Sequence, residues 1–430
     1  MRTTRTSTLR RLGRWLVLGL VLGAGWAAPA EAQAQALGLA RAQEPEQTQG
    51  PPGAVPDQVV DRAFIHIGPF FLHPAVALQD MGIDTNVRNE RDEPQQDFTF
   101  TVVPVISGGF RAGPARLLIV DRVEYVWYKE LTSQRSVNGG LSGQFEVRWN
   151  RLRPFVLGQH GRTRDRKGDE IDERARRSES MFGGGLDLGI ASRTWLTLEY
   201  RSSQTRYDAD ESYLGVPLDA ALNHRADASA VGVRFELSPL TTLAVTARLE
   251  QVRFDTSTFR DSDSLVVTGA FTFDPDALLA GSASVGYRNL QAQTEGTQDF
   301  RGVTANVALT YTGLPTTRFG VGVARDVAYS YEAVYPYYVT TAVAVTVTQN
   351  IVGPLEIVGR GRRAWLNYTG TAGGAPDRQD LVDAYGGGIG VRLVDTSRLG
   401  FDVEWVERQS DVPERGYKGL RLFGSVNYGF

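Results

Sequence analysis

The chain closes on Leu420-Arg421-Leu422-Phe423-Gly424-Ser425-Val426-Asn427-Tyr428-Gly429-Phe430. Leu420, Leu422, Gly424, Val426, Tyr428 and Phe430 share one parity, and Arg421, Phe423, Ser425, Asn427 and Gly429 the other. Successive side chains of an extended strand point to opposite faces, so this segment has one apolar and one mixed face. Earlier segments repeat the pattern. Leu399, Phe401, Val403 and Trp405 alternate with Gly400, Asp402 and Glu404. Val231, Val233, Phe235 and Leu237 oppose Gly232, Arg234 and Glu236. Leu141, Gly143, Phe145, Val147 and Trp149 oppose Ser142, Gln144, Glu146 and Arg148. Helical spacing is absent from these windows, and all read as strands.

Eighteen such segments follow one another, centred near residues 76, 103, 122, 142, 157, 184, 200, 231, 247, 267, 285, 305, 322, 343, 360, 387, 403 and 424. Short turns follow the even-numbered segments, as at Ala112-Gly113-Pro114, Ser238-Pro239-Leu240 and Val352-Gly353-Pro354. Longer, more polar connections follow the odd ones, such as Arg164–Arg176, Tyr207–Asn223 and Tyr368–Gln379. A soluble sandwich has no reason to sort its loops this way; an outer-membrane barrel with short periplasmic turns and long outer loops does. The expected fold is therefore all-β: a transmembrane antiparallel up-and-down β-barrel of about eighteen strands over residues 62–430, in the bacterial outer membrane. Eighteen strands spaced and tilted as usual close at roughly 36 Å across the backbone. Side chains alone cannot fill that width, so a wide lumen is expected, unless loops or a partner plug it.

Mean hydropathy is only −0.24, and after residue 30 no apolar run reaches the roughly 18 residues of a membrane helix. The chain has no Cys, which excludes a disulfide scaffold, a thiolate metal site and a Cys nucleophile. Aromatics gather towards segment ends: Trp127, Tyr128, Trp149, Tyr200, Tyr207, Tyr335, Tyr337, Tyr338, Trp365, Tyr368, Trp405 and Tyr428. They read as interfacial girdles. Val426, Tyr428 and the terminal Phe430 form the kind of signal that the barrel assembly machinery reads.

Residues 1–32 carry Arg2, Arg5, Arg10, Arg11 and Arg14, an apolar centre from Trp15 to Ala28 and the small-x-small end Ala30-Glu31-Ala32. These are the parts of a secretory signal peptide, with Ala34-Gln35-Ala36 as a second cleavage site. Residues 33–61, rich in Gln, Ala, Pro and Glu, read as a disordered periplasmic lead-in. Without residues 1–32 the chain keeps 41 basic and 48 acidic side chains, so no basic excess points to nucleic acid.

If the apolar face meets lipid, the other face lines the lumen. Inward candidates are Glu146, Arg148, Asp187, Glu199, Arg201, Arg234, Glu236, Arg248, Glu250, Arg288, Glu356, Arg360, Arg362, Arg392, Asp402, Glu404 and Arg421. Nine are Arg and eight are acids, with no Lys. Glu199/Arg201, Arg234/Glu236 and Arg248/Glu250 are positioned to pair across the ladder. One reading makes these charges a solvated, mutually paired wall. The sharper one makes them a substrate track, using Arg for bidentate contacts to an anionic or hydroxyl-rich solute. Near-balance of signs argues against a strongly ion-selective pore.

Catalysis is not expected. His66, His73, His160 and His224 have no metal-ligand spacing, and neither a metal nor another cofactor is implied. His160 with Ser178 or Ser180 is the one dyad that can be drawn on paper, but His160 reads as a lumen or rim residue. Gly183-Gly184-Gly185 and Gly386-Gly387-Gly388 lie inside strand patterns, where glycine permits wall curvature. The run Arg162–Arg177 holds seven basic and five acidic residues. It reads as a solvated loop, or as one whose Arg174, Arg176 and Arg177 reach lipopolysaccharide phosphates.

The first hairpin reads Pro69-Phe70-Phe71-Leu72-His73-Pro74 … Gly82-Ile83-Asp84-Thr85-Asn86-Val87, then Asp97-Phe98-Thr99-Phe100-Thr101-Val102-Val103-Pro104. It resembles the opening of a β-barrel porin family associated with exopolysaccharide export, except that Asp84-Thr85 stands where that family usually has two acids. The resemblance covers about forty residues closely and the rest in architecture. It implies an outer-membrane barrel, embedded among outer-membrane lipid and lipopolysaccharide, that passes polysaccharide or works beside a periplasmic polysaccharide export complex. The alternatives are a general or sugar-selective diffusion porin and a structural barrel closed by its loops. Inward folding of Arg164–Arg176 or Tyr207–Asn223 favours these alternatives. Asp84 and Asn86 form either a capped strand-end turn or a cation site.

Overall fold

When every segment carries the same apolar face, strands pair edge to edge until the sheet meets itself and no edge is left open. The computed structural model describes residues 63–274, 277–370, 376–394 and 397–428, and in it this closure is complete. The strands are β1 (Phe70–Asp84), β2 (Asp97–Ala112), β3 (Ala115–Tyr128), β4 (Ser136–Val147), β5 (Leu152–Asp165) and β6 (Ala175–Ala191). Then come β7 (Thr194–Tyr207), β8 (His224–Ser238), β9 (Thr241–Phe254), β10 (Ser262–Phe273), β11 (Leu279–Ala292) and β12 (Phe300–Tyr311). The last six are β13 (Thr317–Tyr329), β14 (Tyr337–Val352), β15 (Leu355–Tyr368), β16 (Arg378–Val394), β17 (Ser397–Gln409) and β18 (Tyr417–Tyr428). Each pairs antiparallel with its neighbours in the chain. β18 returns to β1 between the pairs Val76↔Tyr428 and Asp84↔Arg421.

Exposure follows parity. Leu141, Phe182, Leu249, Val285 and Ile389, all on the outward face, are more than half exposed. Their neighbours in sequence are buried or half-buried inside. A polar interior with an apolar outer band reverses the usual protein, and a lipid surrounding makes both faces favourable.

The closing seam carries a bulge. Its register shifts between Leu78 and Met81, where Asp80 adopts a φ of 51°. Below the seam Ile65–Ile67 folds back on Phe70–Leu72 and continues the line of β18 at its periplasmic end. Phe64 stacks on His73 with ring centroids 4.5 Å apart.

Connections after β2, β6, β8 and β14 span two residues each, whereas those after β5 and β7 run over 166–174 and 208–223. Residues 1–62, 275–276, 371–375, 395–396 and 429–430 lie outside the described residues. The signal-peptide and lead-in readings, and the terminal part of the assembly signal, fall there.

The girdle reading needs correction. Trp149, Tyr200, Trp405 and Tyr428 are exposed on the outside, but Tyr128, Tyr207, Tyr335, Tyr337, Tyr338 and Tyr368 are buried within the protein. Tyr128, Tyr207, Tyr338 and Tyr368 have inward parity at the loop end of their strands, where loops that fold into the barrel cover them.

Candidate functional site

All seventeen charged wall residues named from the sequence take inward parity, and sixteen of them form ion pairs. Glu236 instead accepts a hydrogen bond from the Trp195 indole at 3.1 Å. The expected pairs form in part: Arg248 meets Glu250 at 3.7 Å, along its own strand rather than across the ladder. Arg201 bonds Glu199 two residues away on the same strand. Arg234 pairs with Asp187 at 3.3 Å, not with Glu236. Glu250 takes Arg288 at 3.0 Å, and Arg288 reaches on to Asp326 at 2.9 Å.

Several of these bridges skip a strand. Arg360 on β15 meets Asp402 on β17 at 2.7 Å, and Glu356 meets Arg398 at 2.6 Å, both across β16. The inward residues of β16 there are Gly386, Gly388 and Gly390. A Cβ on Gly388 would fall onto the Asp402 carboxylate, and one on Gly390 would sit 2.6 Å from Arg398 Nη2. Beyond wall curvature, the glycine run clears the floor over which these long side chains meet.

Two loops fill the loop-side half of the lumen. The connection 166–174 leaves between β5 and β6 and crosses to β15, half-way round an eighteen-strand wall. There Arg362 holds Asp169 through two bonds of 2.9 and 2.5 Å. Arg408 on β17 bonds the Glu170 carbonyl at 3.0 Å and Asp172 at 2.8 Å, while its other arm takes Asp380. Arg415 adds a bond to the Glu170 carbonyl, and Tyr213 of the second loop donates to Asp172 at 2.6 Å. Ile171 packs with Tyr207, Leu218, Leu222, Val252, Phe254 and Tyr331. Leu218 belongs to a short helix, Leu218–Leu222, which carries the 208–223 loop into this cluster.

The solvated-loop reading of Arg162–Arg177 is thus overturned. Arg174 and Arg177 are buried, bonded to Gln134 and to Asp165, and cannot turn to lipopolysaccharide. Arg162 and Arg176 both stay partly exposed beside Asp208. Charge does not keep a loop in water when its guanidiniums and carboxylates find partners inside.

Glu170 is the most deeply held loop carboxylate. Ser330 donates to it at 2.6 Å and the Tyr331 amide at 3.3 Å. Burial pushes its carboxyl up to about 7, against the opposing pull of Arg415. Arg260, buried in the β9–β10 connection, faces it electrostatically; burial lowers that guanidinium to about 10. Its Nε and Nη2 have no hydrogen-bond partner among the described residues. Beneath the loops remains a cavity of about 340 Å³, whose lining includes Asp84, Asp165, Asp169, Glu404, Arg362 and Arg421.

The short-turn end of the lumen differs in sign. Arg116 stands opposite Glu146 in register, Arg153 opposite Asp187 and Arg234 opposite Trp195. Arg153 lies over the Trp195 ring at 3.9 Å and Arg234 at 5.7 Å. Farther round, Glu356 alone gathers Arg398, Arg392 and Arg318 at 2.6, 2.9 and 3.5 Å. Sequence reading missed Arg116, Arg153, Arg318 and Arg398, though their parity matches the wall residues it named. It also missed Arg408, Arg415 and Asp380, whose importance comes from loops that meet only in three dimensions.

The Asp84 turn is a cap. Asp84 accepts from the Asn86 amide at 2.9 Å and from Arg421, while Asn86 bonds Glu90 and Lys418. Among the described residues no acidic or histidine cluster could hold a metal. His160 corrects its lumen assignment: it lies exposed on the outward face, where Nδ1 meets Ser180 Oγ at 2.8 Å. Among the described residues no carboxylate bonds the other ring nitrogen, so the pair lacks the third member of a hydrolytic triad.

A closed barrel with an apolar outer band, a polar interior and loops folded in as a constriction is an outer-membrane porin-type channel. Residues 61–429 match the family described as "Putative beta-barrel porin 2", and the chain belongs to that family. No curated protein matches the chain. Among solved structures it is similar to a BenF-like porin from Pseudomonas fluorescens Pf-5, with 12% identity, TM-score 0.48, and 85% of this chain and 100% of that one covered. OccK3 (OpdO) of Pseudomonas aeruginosa shares 13% identity at TM-score 0.45, over 83% of this chain and 95% of that one. The FrpB iron transporter of Neisseria meningitidis (F3-3 variant) shares 10% at 0.44, over 83% and 64%.

Proposed function

We propose that the protein is a solute-restricting diffusion channel of the outer membrane, gated by its inward loops. The observation that carries this reading is the 166–174 segment, bonded across the lumen to Arg362 and Arg408. A segment so placed narrows the passage to a size suited to small polar solutes, and the charged wall keeps that passage wet. Polysaccharide export rests on the likeness of the first hairpin and requires both loops to leave the lumen. In this reading the charged wall residues are the solute track, and a periplasmic export complex is not required. The outward Val426 and Tyr428 serve the assembly machinery, and the exposed Arg162 contacts lipopolysaccharide.

Single-channel conductance of the refolded protein in a planar bilayer tests the proposal. Small steps that grow several-fold on deletion of 168–172 support it. Large wild-type steps that added polysaccharide blocks would favour export. No steps from either protein would leave a structural barrel.

A further inference from the structure

The 166–174 segment docks on the far wall as a ligand would. Asp169, Asp172 and the Glu170 carbonyl accept there, while Arg362, Arg408, Arg415 and Tyr213 donate. Arg362 gives both Nη groups to the Asp169 carboxylate, which is its one ion pair among the described residues. Arg408 divides its guanidinium between Asp172 of the segment and Asp380 of the neighbouring strand. The segment does not use every donor. The Nε groups of Arg362, Arg408 and Arg415 are buried and have no hydrogen-bond partner among the described residues. Arg362 as a whole is only 7% exposed, so no bulk water makes up the difference.

A carboxylate on a solute presents the same oxygens as Asp169 or Asp172, and a guanidinium takes it in the same two-pronged way. The cavity beneath the loops leads to the place, because Arg362, Asp169 and Asp172 all line it. Its lining holds seven carboxylates and four guanidiniums, but two of the seven belong to the segment and leave with it. Three of the others are already held: Asp84 by Arg421, Glu124 by Arg122 and Asp165 by Arg177. A tethered carboxylate acts at an effective concentration on the order of millimolar, so a solute with one carboxylate competes poorly and a solute with two competes well. We infer that Arg362 and Arg408 form a dicarboxylate-binding site in the lumen, which Asp169 and Asp172 fill while the channel is closed and which a solute with two carboxylates takes over as it opens. This deepens the gated-channel reading by assigning the class of solute, and it rests on that reading only for passage, not for binding.

Succinate is the probe and acetate the single-carboxylate control, and equilibrium binding to the full chain refolded in detergent is measured at constant ionic strength. Asp169→Asn/Asp172→Asn removes the built-in competitor and keeps the shape of the segment. Succinate should bind this variant about ten-fold or more tightly than the parent. Adding Arg362→Gln should cancel the gain, and Arg362→Lys, which keeps the charge without the fork, should cancel less of it. Acetate should bind the double variant about ten-fold more weakly than succinate does, or worse. Heat-modifiable gel migration checks that each barrel is closed, and Asp169→Asn alone replaces the double variant if that one does not fold. Succinate binding that is absent from the double variant, no tighter than in the parent, or indifferent to Arg362→Gln overturns the site. Acetate binding as tight as succinate overturns the requirement for two carboxylates. Succinate binding by a double variant that passes no current would keep the site and discard the channel; large steps without succinate binding would do the reverse.

Discussion

Glu170 shows how one side chain links loop position to pH. Held against Ser330 and Tyr331, and facing Arg260, Arg408, Arg415 and Glu332, its carboxyl titrates near 7; in water an ordinary glutamate titrates near 4.5. The docked loop therefore binds the proton more tightly than the released loop does. Docking is strongest below about pH 4.5 and weakens as pH rises through about 7, because the ionised form is the one that burial disfavours. Conductance should accordingly be smaller at pH 5 than at pH 8. Glu170→Gln, which imitates the protonated acid, should stay low and flat across this range. A Gln variant with the same pH profile as the parent would remove Glu170 from the gate.

Among elements, the 166–174 loop behaves as a strap with its anchor on β15 and β17. Arg408 is wholly buried between Asp172 and Asp380. Taking away one partner of such a pair strands the other charge and costs about 3–5 kcal/mol. Arg408→Ala should release the strap, raise conductance, and expose Lys167, whose side chain is now 14% exposed, to trypsin. Trypsin resistance equal to that of the parent would show that the anchor lies elsewhere. The glycine floor of β16 makes a matching case within the wall. Gly388→Ala puts a methyl group where the Asp402 carboxylate stands, so Arg360 must give up its 2.7 Å bond. Overpacking of this kind costs typically about 1–3 kcal/mol. A lower urea midpoint for bilayer-folded protein, with the closed barrel retained, is the expected outcome.

For the whole molecule, the acidic cavity at one end and the basic mouth at the other make the lumen electrically asymmetric. Ions of one sign are then enriched at each end, and current depends on the direction of the applied voltage. The current–voltage curve should be asymmetric at 0.1 M salt and straighten towards 1 M as screening shortens the reach of the charges. Arg116→Gln/Arg153→Gln should flatten it at low salt. A straight curve at 0.1 M for the parent would mean that the two ends do not act on permeant ions.

The wall was legible in the chain because a strand's period of two is a local property: Leu399, Phe401 and Val403 face lipid whatever lies across the barrel. Strand number, the short and long connections and the inward parity of the seventeen charged residues follow from that rule. Partner choice does not. Arg234 takes Asp187 rather than Glu236, and Arg360 reaches over Gly388 to Asp402, because side-chain length and the gap between non-adjacent strands decide who meets. The inward turn of Arg162–Arg177 was hidden for the same reason. Its charges look solvated in sequence, and only the guanidiniums of β15 and β17, nearly two hundred residues or more away, make burial cheaper than water.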